Sequence, residues 1–485
     1  MTKLNFMPPT RVPSLLDGSR PCKRRHWLAL ASGVVLLGLA SPSARAVVVL
    51  SNLISFNHTN GYNPTAPLLQ ALDGNFYGTT AYGGADPSSG GTLFQLTPGG
   101  SFSNLLSFNV ANGANPTAGL IQGSDGNFYG TTAHGGAFTN ADPYHFGYGT
   151  VFQFTTNYTL NVLASFNNTN GAIPTGLIQA SNGFFYGLST FGGTNTDQYG
   201  NTSGAIFKAD TNGLLTSLFS FDHTNGASPA GTLTLGTDGN FYGTTTYGGM
   251  AENGAAFQLT TNGSFSLLAS FYDITNGSGP NTLTMGRDGN LYGTTVYGGI
   301  YHRGTIFQMT TNGTVTTLAT FTGTNGTAPS QLIQAMDGSF LGVTSQGGAS
   351  NAGTVFELTT NGTLGTLYAF SGGSDGRSGT SIMQGSDGNF YGTTSYGGDF
   401  GFGNVFKLSL VPTPVFQSVI QTNGAITFTW AATAGQNYEV QYKTDLTAAN
   451  WTHLQSVTAA SATATATDAT GPDLQRLYRV VLLVP

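Results

Sequence analysis

Residues 332–370 read LIQAMDGSFLGVTSQGGASNAGTVFELTTNGTLGTLYAF, and the same frame occurs seven times between residues 47 and 410. Its middle glycine is Gly78, Gly130, Gly187, Gly243, Gly293, Gly342 and Gly392, at spacings of 52, 57, 56, 50, 49 and 50 residues. A Gly-Gly pair follows each time, beginning at Gly83, Gly135, Gly192, Gly248, Gly298, Gly347 and Gly397. A phenylalanine comes next: Phe94, Phe152, Phe207, Phe257, Phe307, Phe356 and Phe406. Four short apolar stretches, here called strands a to d, alternate with turn chemistry inside each unit. Strand a is LIQ-like, as in Leu120-Ile121-Gln122, and an Asp-Gly-Asn turn such as Asp125-Gly126-Asn127 leads to strand b, Phe128–Thr132. The Gly-Gly loop leads to strand c, Gly149–Phe154. A Thr-Asn-Gly turn, as at Thr311–Gly313, precedes strand d, Thr314–Phe321. No segment carries a useful apolar stripe at helical spacing.

Four antiparallel strands every ~50 residues is the spacing of a kelch-type propeller blade. A lone four-stranded sheet cannot bury both faces, so like sheets must stack around an axis. The expectation is an all-β, seven-bladed β-propeller over residues 47–410. The glycine inside strand b predicts a close approach of neighbouring backbones, and the strand-c phenylalanine predicts packing between blades. Residues 47–56, VVVLSNLISF, match a strand d with no a to c before them, while the seventh unit stops at Leu408 after strand c. The leading strand is therefore expected to complete the last blade and close the ring.

The order Tyr-Gly-Thr-Thr, Tyr-Gly-Gly, Gly-Thr-Val-Phe resembles the GloVer extracellular tandem repeat of bacterial exported proteins, over residues 47–410. The sixth copy departs, with Leu341 and Gln346 in place of the usual tyrosines. The resemblance implies secretion and repetition and carries no catalytic residues with it. After a linker at 411–414 (Val-Pro-Thr-Pro), residues 415–485 are expected to form a small β-sandwich with Trp430, Tyr438, Tyr442, Trp451 and Tyr478 in its core. The frame Tyr438-x-Val440-x-Tyr442, Asp445-Leu446, Trp451, Tyr478-Arg479-Val480 is similar to fibronectin type III-like modules of secreted bacterial proteins.

Composition agrees. The chain has 485 residues, 71 of them glycine, and is 39% hydrophobic, 12% aromatic and 7% charged. That is too much apolar surface for a disordered chain and, without a three-residue period, not collagen. Residues 1–46 hold seven bases and an apolar run, Trp27–Ala40, before Ala44-Arg45-Ala46. Basic flank, short apolar run and small-residue site predict a secretory signal peptide over 1–46. Of 15 bases and 21 acids, that segment holds seven and one, leaving 8 and 20 and a net charge of −12 beyond it. The single cysteine, Cys22, lies in the same segment, so the remainder has no disulfide or thiolate metal site. The acidic balance excludes nucleic acid as a partner. No membrane span is expected in the mature chain, and the mature protein is expected to be an exported monomer without cofactor or metal.

The a–b and c–d turns are short and uniform, whereas length variation gathers in the b–c loops, notably 85–90, 137–147 and 194–203. In a propeller these loops share one face with the d–a connections, and variable loops on a rigid scaffold are where binding resides. The turn aspartates supply one carboxylate each, against the six to eight oxygens calcium takes, and read as hairpin chemistry. Residues that break the repeat are the better candidates: His134, Asp142, Tyr144 and His145 in the second unit, Glu252 in the fourth, His302 and Arg303 in the fifth. His58 and His223 occupy matching d–a loops. The leading expectation is a non-enzymatic binding or structural protein that meets an extracellular polysaccharide or a cell-surface protein through this face. The alternative is a carbohydrate-active enzyme, a glycoside hydrolase or polysaccharide lyase, built from the same loop residues. No Gly-x-Ser-x-Gly, His-Glu-x-x-His or phosphate-loop motif occurs.

Overall fold

The structure, a computed structural model, describes Val35, Leu36 and residues 46–485 except 86–89, 139–145, 197–199, 446, 448, 470–475 and 484–485. The signal peptide expected over 1–46 therefore lies outside the described residues but for Val35–Leu36, a two-residue strand parallel to Leu477–Tyr478, and Ala46. The chain divides into a unit of Ala46–Val411 and a second that contains Pro412–Pro485.

The larger unit is all-β: seven antiparallel sheets, here sheets 1 to 7 in chain order, each built in the order a-b-c-d. Sheet 4 is representative, with strands Ala227–Leu235, Phe241–Tyr247, Ala255–Leu259 and Phe265–Ser270. Sheet 7 takes its first three strands from Arg377–Gln384, Phe390–Tyr396 and Asn404–Val411, and its fourth from Val47–Ser55, which pairs from Val47↔Val411 to Ser55↔Asn404. Strand c of this sheet thus runs on to Val411, into the expected linker.

Strands b and c are buried on both faces, which explains their nearly continuous apolar and threonine sequence. The strand-b glycine is the register partner of the strand-c phenylalanine in all seven sheets: Gly78↔Phe94, Gly130↔Phe152, Gly187↔Phe207, Gly243↔Phe257, Gly293↔Phe307, Gly342↔Phe356 and Gly392↔Phe406. A Cβ on Gly78 would lie 2.5 Å from Cζ of Phe94. This corrects the expectation from sequence: the glycine makes room for the phenylalanine ring of its own sheet, and not only for a neighbouring backbone. A β-bulge interrupts every c–d pair beside that phenylalanine, for example between Ala256 and Phe257. Bulges of this kind add to the local right-handed twist. Strand a is longer than the LIQ core in four sheets and is irregular near a proline, as between Pro174 and Gly176.

Sheets meet through apolar clusters, each fed by two of them. Tyr77, Phe108, Phe128 and Phe152 join sheets 1 and 2. Tyr186, Phe221, Phe241 and Phe257 join sheets 3 and 4. Phe56, Tyr391 and Val405 of sheet 7 and its end loop cluster with Leu68, Phe76 and Phe94 of sheet 1. The strand-b tyrosine of one sheet packs on the strand-b phenylalanine of the next: Tyr77–Phe128 at 4.3 Å, Tyr129–Phe185 at 4.4 Å, Tyr186–Phe241 at 4.5 Å, and Tyr391–Phe76 at 4.1 Å. In five sheets the tyrosine hydroxyl donates to the turn aspartate four residues earlier, as in Tyr129 to Asp125 at 2.7 Å and Tyr242 to Asp238 at 2.8 Å, whereas in sheet 3 Tyr186 accepts from the Asn182 side chain at 3.0 Å. The Asp-Gly-Asn turn is therefore bolted to strand b. In sheet 6, where Leu341 replaces the tyrosine, Asp337 accepts from Ser339 instead.

The smaller unit has a three-stranded sheet (Phe416–Thr422, Ala425–Ala431, Thr463–Ala469) and a second containing Asn437–Lys443, Thr452–Thr458 and Leu477–Leu483. Trp430 and Phe428 of the first meet Tyr438 and Tyr478 of the second, and all four are fully buried.

Candidate functional site

The d–a and b–c loops are tied together by one repeated hydrogen bond. The second glycine of each Gly-Gly pair donates its amide to a d–a carbonyl: Gly84 to His58, Gly136 to Val110, Gly193 to Asn168, Gly249 to His223, Gly299 to Asp273, Gly348 to Gly323 and Gly398 to Gly373. Side chains that sequence places 20–30 residues apart are thereby brought to one end of the sheets.

In sheet 4, His223 Nε2 lies 2.6 Å from Glu252 Oε2. In sheet 5 the acid and base change places: His302 Nδ1 lies 3.0 Å from Asp273 Oδ2. Glu252 and His302 both stand three residues after a first-glycine neighbour, and both adopt left-handed backbone (φ 61° and 53°), as does Asn351 at the matching place in sheet 6 (φ 52°). His223 and His58 are left-handed in their own loops (φ 75° and 73°). Non-glycine residues held at positive φ are strained and gather at functional surfaces. Both pairs are largely exposed, so neither is a strong structural bond.

The other candidates lie elsewhere. Arg303 extends toward sheet 6, its Nη1 3.3 Å from Thr327 Oγ1. His134, half-buried in sheet 2, packs beside Phe146 at 5.9 Å. Asp142, Tyr144 and His145 fall outside the described residues. Glu252 and His302 are each paired within their own sheet and not with each other.

Tyrosine and asparagine in the loops suit sugar stacking and hydrogen bonding, but the sequence reading did not single out the aromatics that precede Gly-Gly. The residue just before Gly-Gly, which ends strand b in four sheets and follows it in sheet 1, is Tyr82, Phe191, Tyr247, Tyr297 and Tyr396 in five sheets, and these residues are between 45% and 58% exposed. Met250, Ile300, Tyr301 and Phe400 on the b–c loops are exposed as well. Between sheets 7 and 1 the ring of Tyr62 stacks on Tyr82 at 5.2 Å and meets His58 at 4.6 Å and Phe402 at 5.5 Å. The signal was legible in the recurring Tyr-Gly-Gly, which the sequence reading used only as a mark of the repeat.

A cavity of about 210 Å³ is lined from every sheet by residues in strand a or beside it, among them Thr65, Thr117, Thr175, Thr232, Thr282, Ser330 and Thr380. Its lining holds hydroxyl, amide and apolar groups and no ionisable side chain, so it offers no acid or base. Among the described residues no cluster of three or more His, Cys, Asp or Glu side chains is placed to hold a metal. No described helix is long and apolar enough to cross a membrane.

The repeat unit itself decides the family. A model of the Gloeobacter/Verrucomicrobia repeat matches residues 42–194, 138–334 and 263–453. The chain belongs to the Gloeobacter/Verrucomicrobia repeat family. No curated protein matches its sequence. Among solved structures, this repeat protein is similar to the extracellular domain of BT4673 from B. thetaiotaomicron, with TM-score 0.50 and 8% identity over 87% of this chain and 55% of that one. It spans about half the length of that structure. It also matches puromycin hydrolase (TM-score 0.48, 11% identity, 79% and 62% covered) and the β-propeller domain of the Trilobed protease from Pyrococcus furiosus (TM-score 0.39, 10% identity, 64% and 82% covered). At such identity the first likeness is one of fold: the repeat protein is all-β and built largely of four-stranded antiparallel sheets.

Proposed function

We propose that this chain is an exported, non-enzymatic binding protein whose seven sheets are the blades of a closed propeller and whose loop end recognises an extracellular polysaccharide. Closure is supported by three contacts between sheets 7 and 1 that repeat those between consecutive sheets. They are the shared apolar cluster, the Tyr391–Phe76 packing, and the Ser386 amide donating to Gln70 Oε1 at 2.8 Å as Met336 does to Gln384 at 2.9 Å. The leading 46 residues act as the signal peptide, and the C-terminal unit is a fibronectin type III-like accessory module.

The observation that carries the reading is the set of half-exposed aromatics just before Gly-Gly at one end of five sheets. Aromatic faces beside histidine, carboxylate and amide groups match the alternating C–H and hydroxyl surfaces of a sugar chain. The test is retention of the chain from residue 47 onward on immobilised polysaccharides, with the Tyr247→Ala/Tyr297→Ala double variant as control. Retention weakened in the variant, without release of oligosaccharide, supports the reading. Retention only by a protein partner, or turnover of the polymer, rejects it.

A further inference from the structure

At the opposite end of the sheets, one turn departs from its siblings. The c–d turn carries glycine at the left-handed position in Gly100, Gly213, Gly263, Gly313 and Gly362, with φ of 92°, 90°, 91°, 93° and 83°. Sheet 2 places Tyr158 there, at φ 67°. A bulky residue in this region is a true outlier, strained where glycine is not. The fold returns little for it: the ring meets Phe154 edge-on at 6.1 Å and remains 61% exposed.

Tyr158 instead forms one wall of a cavity of about 180 Å³ between sheets 1 and 2, whose other walls include Asp73, Gln95, Gln122, Phe128 and Phe154. Leu72, on the turn beside Asp73, is 91% exposed. Asp73 accepts from the Asn75 amide and side chain and from Tyr77, and the carboxylate keeps capacity for a further donor. The Gln95 side chain donates to the Tyr77 hydroxyl at 2.7 Å. In sheet 2 the matching Gln153 also accepts from Asn161 at 3.0 Å, whereas in sheet 1 the residue opposite Gln95 is Ser103. The Asp–Tyr–Gln arrangement itself recurs in sheets 2, 4 and 5 and is structural. What is special here is the aromatic wall placed beside it.

We infer that the cavity between sheets 1 and 2 walled by Tyr158, Asp73 and Gln95 is a binding site for one neutral hexopyranose unit of a glycan. A flat aromatic wall takes the C–H face of the ring, while a carboxylate and an amide opposite take its equatorial hydroxyls. The site is separate from the loop end and stands without the function proposed there.

Affinity electrophoresis of the chain from residue 47 onward through gels containing soluble glucan, mannan or galactan tests this. Wild type is expected to be retarded by at least one of the three. Tyr158→Gly, which installs the residue of the sister turns, is expected to weaken that retardation about tenfold or more, while Tyr158→Phe keeps it within about threefold. All three chains are also run in the Tyr247→Ala/Tyr297→Ala background, where the loop-end aromatics no longer contribute and the retardation that remains is expected to show the same dependence on Tyr158. Absence of retardation in all three gels, or equal retardation of wild type and Tyr158→Gly, overturns the inference. A melting temperature for Tyr158→Gly at or above that of wild type accompanies the expected result; a collapse of the variant's fold would show that the tyrosine serves the fold and also overturns it.

Discussion

Gly243 and Phe257 face each other across strands b and c of sheet 4, and a Cβ on the glycine would stand 2.4 Å from Cζ of the ring. The phenylalanine is fully buried and belongs to the cluster between sheets 3 and 4, so it cannot move aside. Gly243→Ala is expected to destabilise the protein by about 1–3 kcal/mol through overpacking. Phe257→Leu in the same chain should recover part of the loss. Denaturant unfolding of the three variants measures it, and additive effects in the double variant would refute the contact.

The leading strand contributes buried Val49 and, just beyond it, Phe56, with Leu50, Leu53 and Ile54 partly covered. At roughly 1.5–3 kcal/mol for each fully buried side chain, this segment is comparable with a domain stability of about 5–15 kcal/mol. Removing residues 47–56 is expected to lower the melting temperature sharply, and a synthetic 47–56 peptide to restore part of it. An unchanged melting curve would mean that the segment is dispensable and the ring stands open.

Burial, together with donation to Asp73 and Asp125, raises the hydroxyls of Tyr77 and Tyr129 from 10.0 to about 12. The folded chain thus keeps these protons where the unfolded chain loses them. Their contribution to stability is whole below about pH 10 and disappears as pH rises to about 12. For Asp125, burial pushes the carboxyl up, but hydrogen bonds from Tyr129 and Asn127 outweigh it and hold it below its ordinary value. That contribution is present above the ordinary carboxylate range and is lost as pH falls through it. Tyr129→Phe should flatten the alkaline limb of a stability–pH curve, and Asp125→Asn the acid limb; unaltered limbs would disprove the linkage.

Glu252 sits at φ 61° where sheet 7 carries Gly401 at φ 83°. Glu252→Gly is expected to stabilise the fold by about 0.5–1 kcal/mol, since relief of left-handed strain exceeds the added freedom of the unfolded chain. Glu252→Gln, which retains the strain and discharges the pair with His223, should change stability by less than about 1 kcal/mol. Chemical denaturation distinguishes the two, and destabilisation by glycine would show the His223 contact to be structural.

Much of this architecture is written in local chemistry. Asp-Gly-Asn and Thr-Asn-Gly turns, alternating with short apolar runs, determine the strands because they act within a few residues. Repetition then dictates that the sheets be alike. The pairing of Val47–Ser55 with Asn404–Val411 was readable only because an orphan strand stood at each end of the array.

The partnerships at the loop end were not readable. His223 and Glu252 are 29 residues apart, and the Ala227↔Tyr247 pairing and the Gly249 amide on the His223 carbonyl bring their loops together. Tyr158 shares its cavity with Asp73 and Gln95, which come from the neighbouring sheet. Strand and turn identity follow from forces between near neighbours along the chain. Which side chains share a surface depends on how successive sheets pack, and that is set by contacts with no fixed sequence separation.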